Sequence, residues 1–165
     1  MKRLLALSIL LFAVNCFAGD LPDPVLTPGA INPEVTQENI GSTICVKGWT
    51  ATIRPPVSYT NELKLKQMKQ MGLSGEPSDF EEDHLISLEL GGHPTNPENL
   101  WPEPWVSKTD CGARHKDHLE NKLHELVCSG ELELKQAQTL IASDWISAFN
   151  QYVLGRPAGK YSTCK

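Results

Sequence analysis

The stretch Glu81–Pro104, EEDHLISLELGGHPTNPENLWPEP, decides how this chain is read. It sets Asp83 beside His84, then Gly91-Gly92, then Asn99 fifteen residues after the histidine. Phe80 to Leu90 reads as two short extended pieces with His84 near the start. Gly91 to Pro104 is turn chemistry throughout: Gly-Gly, His-Pro, Asn-Pro and Trp-Pro. A loop of this length inside a compact chain is usually functional or tied down. In an extended strand neighbouring side chains point to opposite sides. Asp83 and His84 are therefore free to take different roles. A neutral histidine is a base near pH 7. A carboxylate can hold a divalent ion that acts as a Lewis acid. Asn99 both donates and accepts, which suits a residue that fixes the loop between two strands. His93 reads as an ordinary loop residue.

Downstream, Asp110 to Val127, DCGARHKDHLENKLHELV, is the clearest helix, with Asp110 as the expected N-cap. Leu119, Leu123 and Leu126 mark its core face. Lys116, Glu120 and His124 recur every four residues on another face. Glu120 and His124 at that spacing can hold one ion between them. A second helix runs from about Glu133 to Tyr152, with Ala137, Leu140, Ile141, Trp145 and Phe149 buried.

Upstream, Ile44 to Arg54, ICVKGWTATIR, carries strand-like residues with imperfect alternation and is ended by Pro55 and Pro56. Ser58 to Met71 reads as a helix with Leu65, Met68 and Met71 as its apolar stripe, closed by Gly72. Lys64, Lys66 and Lys69 project elsewhere. Lys64, Lys116 and Arg54 are candidate phosphate contacts. Trp101 and Trp105 admit a base-stacking reading, but the proline-flanked WPEPW stretch reads better as a loop packed on the domain.

The chain has 165 residues and opens MKRLLALSILLFAVNCFAGD. Lys2 and Arg3 precede an apolar run from Leu4 to Val14, and Cys16 and Ala18 hold small-residue positions. This is the pattern of a signal peptide over 1–18, too short for a persuasive membrane span. Lipidation at Cys16 fits less well, because Asn15 precedes it. Residues 19–43 read as an extended arm rich in Pro, Gly, Asn and Thr, and 44–165 as a single domain. Export leads to the periplasm or beyond the cell. Without 1–18, the chain loses two of its 15 Lys and Arg and none of its 20 Asp and Glu, so its formal charge becomes −7. That balance is unlike a non-specific nucleic-acid coat protein. It is compatible with a nuclease that meets phosphate through a cation and a local basic face.

Cys45, Cys111, Cys128 and Cys164 remain, an even number, which in an exported chain reads as two disulfides. Cys111 and Cys128 bracket a helical pattern about 25 Å long at about 1.5 Å per residue. A disulfide needs Cα atoms within about 7 Å. Two of the three pairing schemes stay open.

Asp83-His84, Gly91-Gly92, Asn99-Leu100 and the helix beginning near Asp110 together resemble the HNH endonucleases, whose fold is the ββα-metal finger. The likeness is closer to a small exported subgroup, carried here by TICVKGWTATIRPPVSYTN, DHLISLELGG, NLWPEP and KDHLENKLHELVCSGEL. The resemblance implies an α+β fold, with an HNH-like finger embedded in a small, mainly helical, disulfide-stapled domain. It makes His84 the general base, Asp83 a metal ligand and Asn99 the residue that constrains the finger's loop. The helix ligand is left between Glu120, His124 and their neighbours. Cys45–Cys128 and, by remainder, Cys111–Cys164 follow from the same likeness. The implied activity is metal-dependent hydrolysis of phosphodiester bonds in DNA, or RNA, with weak sequence specificity. Mg²⁺ is the expected cofactor, with Mn²⁺ or Zn²⁺ as alternatives. The competing expectation is a non-catalytic exported scaffold or binding protein that retains the fold.

Overall fold

A computed structural model describes residues 21–107 and 110–165. The signal-peptide reading of 1–18 lies outside the described residues. The architecture is mixed α+β and mostly helical, with one small antiparallel hairpin and two disulfides.

Strands β1 (Phe80–His84) and β2 (Leu100–Pro104) pair antiparallel, with Asp83 opposite Trp101 and His84 opposite Leu100. Every residue of β2 is buried. Helix α2 (Val57–Met71) packs on both strands. Its buried residues are Leu63, Gln67 and Met68, whereas Leu65 is exposed. The expected stripe of Leu65, Met68 and Met71 is thus displaced around the helix. The cause is polar: Gln67 Nε2 donates to Leu100 O at 2.8 Å and Pro97 O at 3.2 Å, and this sets the inward face. Gly72 ends the helix in the left-handed region, φ 63°, where its N–H caps the last carbonyls.

Ile44 to Arg54 is not a strand. Gly48 (φ 82°) turns the chain, and Trp49–Ile53 forms the short helix α1. The backbone groups close locally, Trp49 N–H to Val46 O and Ala51 N–H to Gly48 O, so no sheet partner is needed.

Helix α3 (Ala113–Ser129) begins after Gly112 rather than at Asp110, and ends at Gly130. Asp110 instead has φ 57° and pairs with Lys165 at 2.6 Å. Leu119, Leu123 and Val127 of α3 pack with Ala137, Ile141 and Trp145 of helix α4 (Leu134–Tyr152) to make the core. The Gln37 side chain accepts from Leu134 N at 2.7 Å and caps α4. A break at Asp144 (φ −161°, ψ 77°) divides α4, and the Asp144 carboxylate caps the second half through Ser147.

The segment after residue 20 runs along the finger. Asn32 N–H donates to Gly91 O at 2.8 Å, and His93 N–H to Ala30 O at 2.8 Å. Cys45–Cys128 ties the turn before α1 to the end of α3, with Cα atoms 5.6 Å apart. Cys111–Cys164 ties the tail to the start of α3, with Cα atoms 5.1 Å apart. No helix among the described residues is long and apolar enough to cross a membrane.

Candidate functional site

The loop between the strands is closed by one side chain. Asn99 is fully buried. Its Oδ1 accepts from Ile86 N at 3.0 Å and Ala30 N at 3.4 Å. Its Nδ2 donates to Ile86 O at 2.9 Å and His93 O at 3.1 Å. A single amide thus answers donors and acceptors on three segments. Gly92 packs against the same place: a Cβ there would lie 1.7 Å from Ile86 O and 2.8 Å from Asn99 Nδ2. Only glycine allows that approach. His93 caps the loop locally, its Nδ1 accepting from Thr95 N and Asn96 N.

His84 ends β1, and its Nε2 lies 2.9 Å from Pro94 O. A carbonyl only accepts, so Nε2 carries the proton and Nδ1 is the basic nitrogen of the neutral ring. Burial lowers the imidazole pKa below its ordinary value, against the opposing pull of the Pro94 carbonyl and Asp83. Burial therefore favours the neutral ring at pH 7.

Asp83 and Glu120 converge on Lys116, which is fully buried. The Lys116 ammonium donates to Asp83 Oδ2 at 2.6 Å, to His84 O at 2.7 Å and to Glu120 Oε1. Burial opposes its charge, but the carboxylates of Asp83, Glu120 and Glu103 outweigh that and raise its pKa. Burial likewise pushes the Asp83 carboxyl up, yet Lys116 and a hydrogen bond with Glu103 hold it below its usual range. Burial carries Glu120 up to about 8 against the pull of Lys116. One ammonium cannot fully compensate two buried carboxylates, and the second titrates high.

Sequence reasoning missed Glu103. It is fully buried in β2, with no ordinary donor to either oxygen. Burial drives its pKa well above the carboxylate range, and the protonated group donates to Asp83. The signal was present in the strand register. Glu103 pairs with Glu81 and Asp83 with Trp101, so Glu103 and Asp83 are diagonal neighbours on one face.

A cavity of about 300 Å³ opens over these groups. Its wall contains Asp83, His84, Glu120, Glu81, Glu89 and Asp117, with Arg54 as the cationic member. Burial raises Glu81 to about 7. Arg54 stands at the end of α1, exposed, beside the carboxylates. Lys64 is elsewhere: its ammonium donates to Pro77 O at 2.8 Å and Phe80 O at 2.9 Å, joining α2 to β1. Lys116, read from sequence as a phosphate contact, is instead enclosed behind Asp83 and Glu120. Trp101 is buried in β2.

His124 is not part of the cavity wall. Its Nε2 lies 2.9 Å from Ile44 O and its Nδ1 3.9 Å from Glu89 Oε2. Cys45, His124 and Cys128 bring their donor atoms within 4.8 Å of one another, a set capable of holding a metal ion. Here the two sulfurs are joined as a disulfide, so that capacity belongs to the reduced pair.

Comparison with family models, curated proteins and solved structures gives no match to this chain. The compact α+β domain, its hairpin followed by helices, and the Cys/His/Cys cluster are consistent with a generic metal-finger-like fold.

Proposed function

We propose that this protein is an exported HNH-like endonuclease that hydrolyses phosphodiester bonds in DNA, or RNA, with weak sequence specificity. The observation that carries this reading is the neutral His84 on the wall of the same cavity as Asp83 and Glu120. Pro94 O holds the Nε2 proton, so Nδ1 is the atom that takes a proton from an attacking water. Asn99 ties the loop that carries Pro94, through His93 O, to Ile86 just beyond β1. Arg54 is the group available to a phosphate at the cavity.

The donor set fits a hard divalent ion. Carboxylate oxygens dominate the wall, which suits Mg²⁺ or Mn²⁺ better than Zn²⁺. Lys116 engages one oxygen of Asp83 and one of Glu120, and an ion would take the lone pairs that Lys116 and Glu103 leave on the two carboxylates. Asp83 and Glu120 would hold the ion, which would supply positive charge to the phosphoryl and leaving oxygens. Protein side chains do the rest: His84 moves the proton, Lys116 orients the two carboxylates, and Arg54 draws the substrate backbone in.

Export rests on the opening of the chain and on the two disulfides, which persist in oxidising compartments. The destination is the periplasm or the medium. The non-catalytic scaffold reading draws support from the same wall, where carboxylates outnumber the single Arg54 and would repel a phosphate.

Plasmid nicking separates the two. The oxidised protein is assayed with Mg²⁺, Mn²⁺ and Zn²⁺ in turn and with EDTA, beside a folded His84→Ala variant. Metal-dependent nicking that disappears in the variant supports the nuclease. Intact DNA and RNA under every metal would leave the scaffold reading.

A further inference from the structure

The Cys45–Cys128 disulfide has a feature that the other bridge does not share: an imidazole stands beside it. His124 and Cys128 are four residues apart on α3 and share a face. Cys45 arrives from the preceding turn, where its N–H donates to Ile40 O at 3.0 Å. The ligand atoms of the three residues all lie within 4.8 Å of one another.

We propose that this bridge is a redox-gated zinc site, closed as a disulfide and opened by reduction to two thiolates and one imidazole. Two thiolates with a histidine form a donor set that selects Zn²⁺ over Mg²⁺. Zinc bound at about 2.3 Å from each sulfur in tetrahedral geometry sets the sulfurs about 3.8 Å apart. The bridge must therefore break before an ion can enter. The covalent bond and the metal exclude one another.

The surroundings fit a ligating histidine. Each ring nitrogen has an oxygen near it, Ile44 O at 2.9 Å from Nε2 and Glu89 Oε2 at 3.9 Å from Nδ1. Whichever nitrogen binds, the other retains a carbonyl or carboxylate to fix the tautomer. Cys128 is exposed and Cys45 half-buried, so a reductant has access to the outer sulfur. Glu89 also lies on the cavity wall beside His84. The gated site and the cavity thus meet at one carboxylate.

The reductant is a dithiol. Its thiolate attacks Cys128 Sγ, the Cys45–Cys128 bond breaks, and Cys45 leaves as a thiolate. The second thiol of the reductant then displaces Cys128 and closes the reductant's own disulfide. Two electrons pass to the protein. Both cysteines bind as thiolates, and protons taken up in reduction are released when Zn²⁺ binds.

The test is zinc binding by the full chain, oxidised and after reduction with a phosphine, which becomes its oxide with oxygen from water. Zn²⁺ alone is the probe, with Co²⁺ as a spectroscopic substitute. The oxidised protein is expected to take no zinc through these sulfurs. The reduced, folded protein should take about one equivalent, and the Co²⁺ form should show thiolate-to-metal absorption. His124→Ala should weaken uptake at least about tenfold, the scale set by losing a ligand or its support. Cys45→Ser/Cys128→Ser should cut uptake back to that of the oxidised protein, where only the cavity carboxylates can hold the ion, while Cys111 and Cys164 remain as thiols. No uptake by the reduced protein would overturn the proposal. So would equal uptake in the double variant, or uptake only by a chain that circular dichroism shows to be unfolded. None of these outcomes depends on nuclease activity.

Discussion

Lys116 Nζ lies 2.6 Å from Asp83 Oδ2, joining α3 to β1 across 33 residues of chain. The same ammonium holds Glu120 and the carbonyl of His84. From behind the cavity, a fully buried lysine thus fixes the end of β1 and two carboxylates of the cavity wall.

Removing that ammonium should be costly. Lys116→Met keeps the volume but leaves Asp83 and Glu120 facing each other without a counter-charge. Breaking a buried ion pair in this way costs about 3–5 kcal/mol. Urea denaturation at pH 7 measures it. A loss below about 1 kcal/mol would mean that the carboxylates find water or protonate without strain.

Nicking activity should rise with pH and level off early. As the proposed general base, His84 would act only when its ring is neutral, and burial lowers its pKa below 6.5. With the divalent ion saturating, so that Glu120 is held ionised, the half-maximum of the acid limb of kcat/KM is therefore expected below pH 6.5. His84→Gln should lower the rate about 10²–10⁴-fold, the usual contribution of a general base. An acid limb centred above pH 7 would contradict the burial argument.

Glu82 gives a stability prediction with a defined window. Both of its carboxyl oxygens are buried without a hydrogen-bond partner, and burial raises its pKa from 4.5 to about 8. The folded state holds a proton that the unfolded state has released, so stability falls as pH rises from about 4.5 to about 8. The slope from one such group is at most about 1.4 kcal/mol per pH unit. Glu82→Gln should flatten that decline, and Glu103→Gln should act in the same direction. Urea midpoints at pH 5 and pH 8, in EDTA, are the comparison. An unchanged slope in both variants would show that neither carboxyl retains its proton on folding.

Asn99→Ala should loosen the finger's loop. It strands Ile86 N and Ile86 O, both paired with the Asn99 side chain inside the protein. Each buried unpaired group costs about 1–3 kcal/mol. Gly92→Ala attacks the same place through a clash with Ile86 O. Thermal unfolding of both variants should show clear destabilisation, with cleavage falling in parallel. A normal melting temperature would mean that water replaces the amide.

Much of the framework was legible from local signals. Gly72 and Gly130 mark the ends of α2 and α3, since each carries the left-handed turn that stops a helix. The Leu119 and Leu123 spacing gives the α3 core face, because helical period is a local property. The strand residues from Phe80 to His84 locate β1, but β2 is hidden: Leu100–Pro104 reads as turn and loop because of Pro102 and Pro104, and forms a strand only through its pairing with β1, while Leu88–Leu90, read as extended, is a 3-10 turn. Ile44 to Arg54 misleads for the opposite reason: strand-like residues form a strand only beside a partner, and Gly48 turns them into α1.

What the sequence by itself determined about this protein is the three long helices, the polar residues available to a site and the exclusion of a Cys111–Cys128 bridge. Only the tertiary structure decided how those residues are used. Lys116 looks like any solvated helix lysine until α3 meets β1 and encloses it. Glu103 becomes a buried acid only through the strand register, and His124 turns to Ile44 O and Glu89 because α3 lies between them. Propensity and period are set within a few residues, whereas burial and charge pairing depend on partners tens of residues away.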